Sequence, residues 1–205
     1  MFNTIAEAEA AVGGLSKPSK MPGYAYGLPV SKCQVGEKLM KLKNSTCSAC
    51  YANKGRYRFN NVQIALHRRY FALLMEPRWV DAMVFLMHRK KIDYFRWHDS
   101  GDLQSTKHLE KIAEIARRCP DTKFWLPTRE YGYVKAYTAL HGAPPPNLTI
   151  RVSAAMIDAP PPNYPNTSTV TTGTPTCPAY TQGGACGPCR MCWDPTVPNV
   201  SYPKH

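Results

Sequence analysis

No stretch of this sequence holds the roughly 20 consecutive apolar residues that a membrane-spanning helix requires, so no spanning segment is expected. The first residues, "MFNTIAEAEAAVGG", have neither the basic start nor the apolar middle of a secretory signal, which points to an intracellular, cytoplasmic protein. Acids are scarce: 14 Asp and Glu stand against 26 Lys and Arg, a formal net charge of +12. That balance favours anionic partners, nucleic acid foremost, with a merely solvated basic surface as the plain alternative. No internal repeat is present, which sets repeat architectures aside. What remains, 205 residues at 43% hydrophobic content, is enough for one domain with a real core.

A reducing compartment argues against reading the eight cysteines as disulfides. Seven fall into two groups, Cys33, Cys47, Cys50 and Cys177, Cys186, Cys189, Cys192; Cys119 stands apart and reads as a small buried apolar residue. The tail group is spaced C-x8-C-x2-C-x2-C among glycines and prolines, which suits zinc or an iron–sulfur cluster. The plain reading there is a zinc staple without a catalytic part. The first group, C-x13-C-x2-C, has three thiolates and no evident fourth. On a 4Fe–4S cluster three thiolates leave one iron open, whereas structural zinc takes four ligands, which His67 or His98 could complete.

Periodicity predicts a short helix over 2–12 and helical segments from Asn60 to Lys91 punctuated by Pro77. "DYFRWHD" reads as a strand, and Ser105 as the N-cap of "TKHLEKIAEIARRC". The strand "TKFWLPT", the helix "YGYVKAYTALHG" and the strand "NLTIRVSAA" follow. This alternation predicts an α/β fold, a partial (β/α) barrel or open parallel sheet with flanking helices. The expected division is an α/β core over 1–157 with the first cysteine triplet, a Pro/Thr-rich linker over 158–176, extended or wrapped on the surface, and a Cys-rich, metal-binding tail over 177–205 packed on the core.

Chemistry in such folds gathers at the carboxyl ends of the strands, here "HDSGD", "PTRE" and "VSAA". Asp99 and Asp102 could hold a ribose, act as acid or base, or serve as nucleophile, with Ser100, Thr128, Arg129 and Ser153 at the same strand ends and Tyr51 as wall packing. An Asp-Ser-Gly-Asp turn that only caps the next helix is the bland reading. Lys54, Arg56, Arg58, Arg68 and Arg69 lie among aromatics in "NKGRYRF" and "HRRYF", a pattern for phosphate contact and base stacking that an ordinary helix face also explains.

Taken together, "CSACYA", "YFRWHDSGDLQSTKHLEKIAEIARRCPDTKFWLPTRE", "NLTIRVSAAMID" and "CGPCRMCWD…VPNVSYPKH" resemble the phage gene-product-88 family. More distantly they are similar to the phage three-Cys-motif proteins and to radical S-adenosylmethionine enzymes, especially those that repair photodamaged DNA. The resemblance implies a phage-encoded protein with a partial (β/α) barrel and a 4Fe–4S cluster on Cys33, Cys47 and Cys50. It further implies S-adenosylmethionine at the open iron, an electron donor as partner, and a cavity lined by Asp99, Ser100, Asp102, Thr128, Arg129 and Ser153. Two features depart from the radical-enzyme pattern: thirteen residues replace the usual three between the first cysteines, and no Gly-Gly-Glu-like segment follows.

Three readings result. The first is an iron–sulfur, radical-type enzyme that modifies or repairs nucleic acid or nucleotides. The second is a nonenzymatic, metal-stabilised nucleic-acid-binding protein. The third is a base-exchange enzyme of the deazaguanine-inserting kind, with Asp99 or Asp102 as nucleophile and zinc in the tail.

Overall fold

A computed structural model describes residues 2–204. Six strands form one sheet: β1 (Tyr24–Tyr26), β2 (Tyr94–Trp97), β3 (Lys123–Thr128), β4 (Leu148–Ser153), β5 (Thr167–Thr171) and β6 (Asn199–Pro203). Every pair is parallel and the spatial order is the chain order. The sheet is therefore open, with β1 and β6 at its two edges. Six helices accompany it: α1 (Ile5–Val12), α2 (Gln34–Met40), α3 (Asn60–Met75), α4 (Trp79–Arg89), α5 (Thr106–Arg118) and α6 (Tyr131–His141).

A parallel sheet must be covered on both faces, and the alternation of side chains shows how this one is. Phe95, Trp97, Phe124, Leu126, Leu148 and Ile150 join one core with Val12, Met83, Leu109, Ile112, Ala113 and Val134 of the helices. The alternate residues turn the other way. Trp125 and Val200 pack with Cys192 and Trp193, joined by Tyr94, Met191 and Tyr202. One face is thus closed by helices and the other by the cysteine-rich tail. Such burial of large apolar side chains, at about 25 cal/mol per Å² removed from water, is what drives the assembly.

Ser105 caps α5 as expected, accepting from His108 N (3.1 Å), while Thr4 caps α1 by accepting from Glu7 N (3.1 Å), so the helix expected from residue 2 begins at Ile5. Cys119 is buried as a small apolar side chain, and burial pushes its thiol up to about 11. Residues 158–176, expected as a linker, instead supply β5, and the tail supplies β6, so both belong to the central sheet. Threonines suit a strand there because Thr167 and Thr169 are buried by β4 and β6 on either side, while Thr167 Oγ1 donates to Pro198 O at 3.1 Å.

Candidate metal centre at the carboxyl ends of the strands

Cys33 follows β1 and is the N-cap of α2; Cys47 and Cys50 lie in the loop after that helix. This loop is fastened over the ends of four strands. Leu28 N donates to Ser100 O (2.7 Å) and Ser100 Oγ returns a bond to Leu28 O (2.8 Å). Thr46 N donates to Ala155 O (2.9 Å), beyond β4, and Arg129 Nε, beyond β3, donates to Thr46 Oγ1 (2.9 Å). The buried Glu130 carboxylate accepts from Gln34 N (3.1 Å) and Val35 N (2.8 Å), capping α2 where its first amides are otherwise unsatisfied.

Two tyrosines complete the fastening. Tyr51 Oη donates to Asp99 O (2.6 Å) and Tyr57 Oη to Asp99 Oδ2 (3.1 Å). Glycines clear the space beneath: a Cβ on Gly101, whose φ is +78°, would lie 2.6 Å from Leu28 Cβ. A Cβ on Gly36 would lie 2.9 Å from Cys33 Cβ and 3.7 Å from the Sγ atoms of both Cys33 and Cys47. Gly36 therefore keeps a gap open between two thiols.

Burial raises the Cys33 thiol first, and nearby Asp102, Cys50, Cys47 and Glu130 raise it further. Cys47 is raised by burial, against the pull of Arg129, with Cys50 again contributing. The triplet is thus one electrostatic group. Among the described residues no three of His, Cys, Asp and Glu stand round one point as a single ion requires, so neither His67 nor His98 completes an ion site with these cysteines. His98 Nδ1 is engaged with Tyr26 O (2.8 Å), and its ring lies 5.2 Å from that of His108.

The strand-end residues divide by role. Asp102 is buried and accepts from Leu103 N (2.8 Å), Thr128 Oγ1 (2.6 Å) and Arg129 N (2.9 Å); burial pushes its carboxyl up to about 6. Both its oxygens are occupied in holding the end of β3. Asp99 differs: its Oδ1 is buried with no hydrogen-bond partner. Ser153 Oγ lies 2.8 Å from Ser168 Oγ, bridging β4 and β5. Of the basic residues, Lys54, Arg56 and Arg58 are exposed, and Arg68 is exposed with its Nε on Gly13 O (3.0 Å). Arg69 is buried and holds Gly14 O (2.9 Å), so it forms no part of a phosphate-contacting surface.

The tail cysteines gather on the opposite face of the sheet from the helices. Cys186 is raised by burial and then by Cys177 and Cys189, while Arg96 and Arg190 lower it. Burial pushes Cys192 up to about 11, opposed by a bond to Tyr202 Oη (3.1 Å) and by Arg96; Cys177 raises it. Arg96 therefore serves both groups: its guanidinium lies 4.4 Å from the Trp125 ring, and Nη2 donates to Tyr51 Oη (3.1 Å) beside Cys50. Its Nε–H is buried and unpartnered, a donor left over beside a sulfur-rich site. Arg96, Tyr57 and Gly36 escaped the sequence reading because their roles depend on partners remote in the chain, and Glu130, marked at a strand end in "PTRE", had no role assigned for the same reason. The alternation in "YFRW" was the available signal for Arg96, since it sets the arginine opposite Phe95 and Trp97.

No helix among the described residues is long and apolar enough to cross a membrane. No curated protein and no solved structure matches the chain. The model of the family described as gene product 88 matches residues 3–172, which takes in the first cysteine triplet and β1 to β5 and stops before the tail cysteines. The chain belongs to the phage gene product 88 family.

Proposed function

We propose that this protein is an iron–sulfur enzyme of radical S-adenosylmethionine type that modifies or repairs nucleic acid or nucleotides. The observation that supports the reading is the convergence of Cys33, Cys47 and Cys50 over the carboxyl ends of the strands, with Gly36 keeping the space between two of the thiols clear. Ligands of a single zinc ion sit about 2.3 Å from it and crowd one point, whereas cluster thiolates each bind a different iron and stand further apart. When bound, a 4Fe–4S cluster supplies the electron that reductively cleaves S-adenosylmethionine at its open iron.

The chain's own residues then have definite tasks. Glu130 fixes the first turn of α2 and with it Cys33. Asp102 and Thr128 fix the backbone of Arg129, whose side chain braces Thr46 beside Cys47. Tyr51 holds the Asp99 carbonyl and Tyr57 one oxygen of its carboxylate, leaving the other oxygen for a ribose hydroxyl or an amine of a bound ligand. The tail cysteines hold a second iron–sulfur cluster, with Arg96, Arg190 and Tyr202 matching its negative charge. The base-exchange reading keeps one foothold, the unpartnered Asp99 Oδ1; Asp102 is a poor nucleophile with both oxygens engaged.

Anaerobic reconstitution with iron and sulfide tests the proposal. The expected product is brown, absorbs near ~400 nm and carries about four irons on the triplet, lost in Cys33→Ser, Cys47→Ser and Cys50→Ser. Colourless protein holding stoichiometric zinc would overturn it.

A further inference from the structure

The positive charge of this protein is not spread evenly. Residues 31–60, the cap that carries all three cysteines of the first group, contain Lys32, Lys38, Lys41, Lys43, Lys54, Arg56 and Arg58 against a single acid, Glu37. Half of the chain's net charge therefore sits in 30 of 205 residues. All seven cations are exposed. None joins an ion pair among the described residues, whose pairs lie instead on α1, α4, α5, α6 and the turn before α4. Between and after them two aromatic rings face outward, Tyr51 at 41% and Phe59 at 58% exposure.

A cation without an ion-pair partner repels its neighbours, and although Lys32 lies over the Tyr70 ring at 5.2 Å, seven such charges on one cap favour a partner that neutralises them. Their number exceeds what the phosphates of one nucleotide satisfy. Outward aromatic rings among cations suit unpaired bases, which stack on them, and not the closed edges of a duplex. We propose that the cap from Lys32 to Phe59 is a docking tract for a single strand of nucleic acid, holding it beside the cysteine triplet that the same cap carries. This names the substrate class and rests on the functional reading above. The thirteen-residue interval between Cys33 and Cys47 then has a purpose, because it adds Lys38, Lys41 and Lys43 beside the metal ligands.

Fluorescence anisotropy with a labelled 20-nucleotide single strand, and with a duplex of the same length, tests this on the full chain. Single-strand affinity should exceed duplex affinity and should fall steeply with salt, each phosphate contact contributing about 0.7 to the logarithmic slope. Lys38→Gln, Lys41→Gln and Lys43→Gln combined should weaken binding at least tenfold and flatten the slope by about 2. Phe59→Ala should weaken single-strand binding by about fivefold or more and leave the slope unchanged. Arg89→Gln with Lys107→Gln, outside the cap, should change neither. Equal duplex affinity, a flat salt response, or equal losses in the cap and control variants would overturn the proposal. The triple variant Cys33→Ser, Cys47→Ser, Cys50→Ser separates the two ideas: it should still bind the strand. A chain that binds the strand but never loads iron refutes only the enzyme reading, and a loaded chain that ignores the strand refutes only this one.

Discussion

Arg151 of β4 donates through Nε to the carbonyl oxygen of Cys192 at 3.0 Å, from the centre of the sheet to the heart of the tail. Its Nη atoms reach Thr167 O, Val197 O, Met191 O and Asp194 O at 2.7–3.2 Å, and the side chain is fully buried. No carboxylate accepts from it among the described residues; the carbonyls of the tail take that part. Arg151→Met should leave these carbonyls unsatisfied and cost about 3 kcal/mol or more. At about 2–4 °C per kcal/mol for a chain of this size, the melting temperature should drop by roughly 6–12 °C. A drop below ~2 °C would show that the tail holds its place without this arginine.

The two cysteine groups should respond differently to loss of a ligand. Cys47→Ser and Cys50→Ser should abolish iron on the triplet while the melting temperature changes by only about 1–2 °C, since the cap is fastened by Glu130, Arg129, Tyr51 and Tyr57. Cys186→Ser and Cys189→Ser should lower stability by several kcal/mol, because the turns around them have few apolar contacts and metal binding there is coupled to order. Calorimetry of both sets, with and without chelator, decides; equal losses would refute the division.

Gly36→Ala separates folding from metal loading. Alanine favours a helix over glycine by up to about 1 kcal/mol, so α2 itself should not suffer. The new methyl group, however, would enter the space between the Cys33 and Cys47 sulfurs. Iron content after reconstitution should fall several-fold, while the 2.9 Å approach to Cys33 Cβ offsets the helical gain and lowers the melting temperature only modestly. Full loading would mean the gap is not where the metal sits.

His98 and His108 set the response to acid. Burial pushes His98 down to about 4, opposed by its bond to Tyr26 O, and holds His108 well below its usual value. Both imidazoles are thus neutral in the folded chain, while in the unfolded chain they take up protons near pH 6.5. Their contribution is fully present above that pH and is lost as the pH falls toward 4, about 3 kcal/mol for His98. Proton NMR should show the His98 imidazole unchanged from pH 8 to about 5.5. A midpoint near 6.5 in the folded protein would place it in contact with water.

The chain declares its long elements openly. The apolar spacing of Leu109, Ile112 and Ala113 and the caps at Thr4 and Ser105 set α5 and α1, and aromatic alternation sets β2 and β3. β1 is three residues within a Gly/Pro-rich stretch, and α2 is seven residues of mixed charge; neither spans enough periods to stand out. β5 and β6 were hidden because their partners are each other and β4, and their threonines, serines and asparagine satisfy neighbours instead of forming an apolar stripe. For the site, cysteine spacing marked both groups. The pair Asp99 and Asp102 looked alike in sequence, yet only long-range hydrogen bonds distinguish the fully engaged carboxylate from the one with an idle oxygen.

Arg96 has one further implication, for the tail. The family match ends at residue 172, yet this arginine, well inside it, is matched on one side by sulfurs of a segment beyond that limit. Without that segment the arginine would keep Tyr51 and the charge of Asp99 but lose every neighbour on its sulfur side, so truncation of the tail should loosen the Arg96 side chain and, through it, Tyr51 beside the first cysteine group.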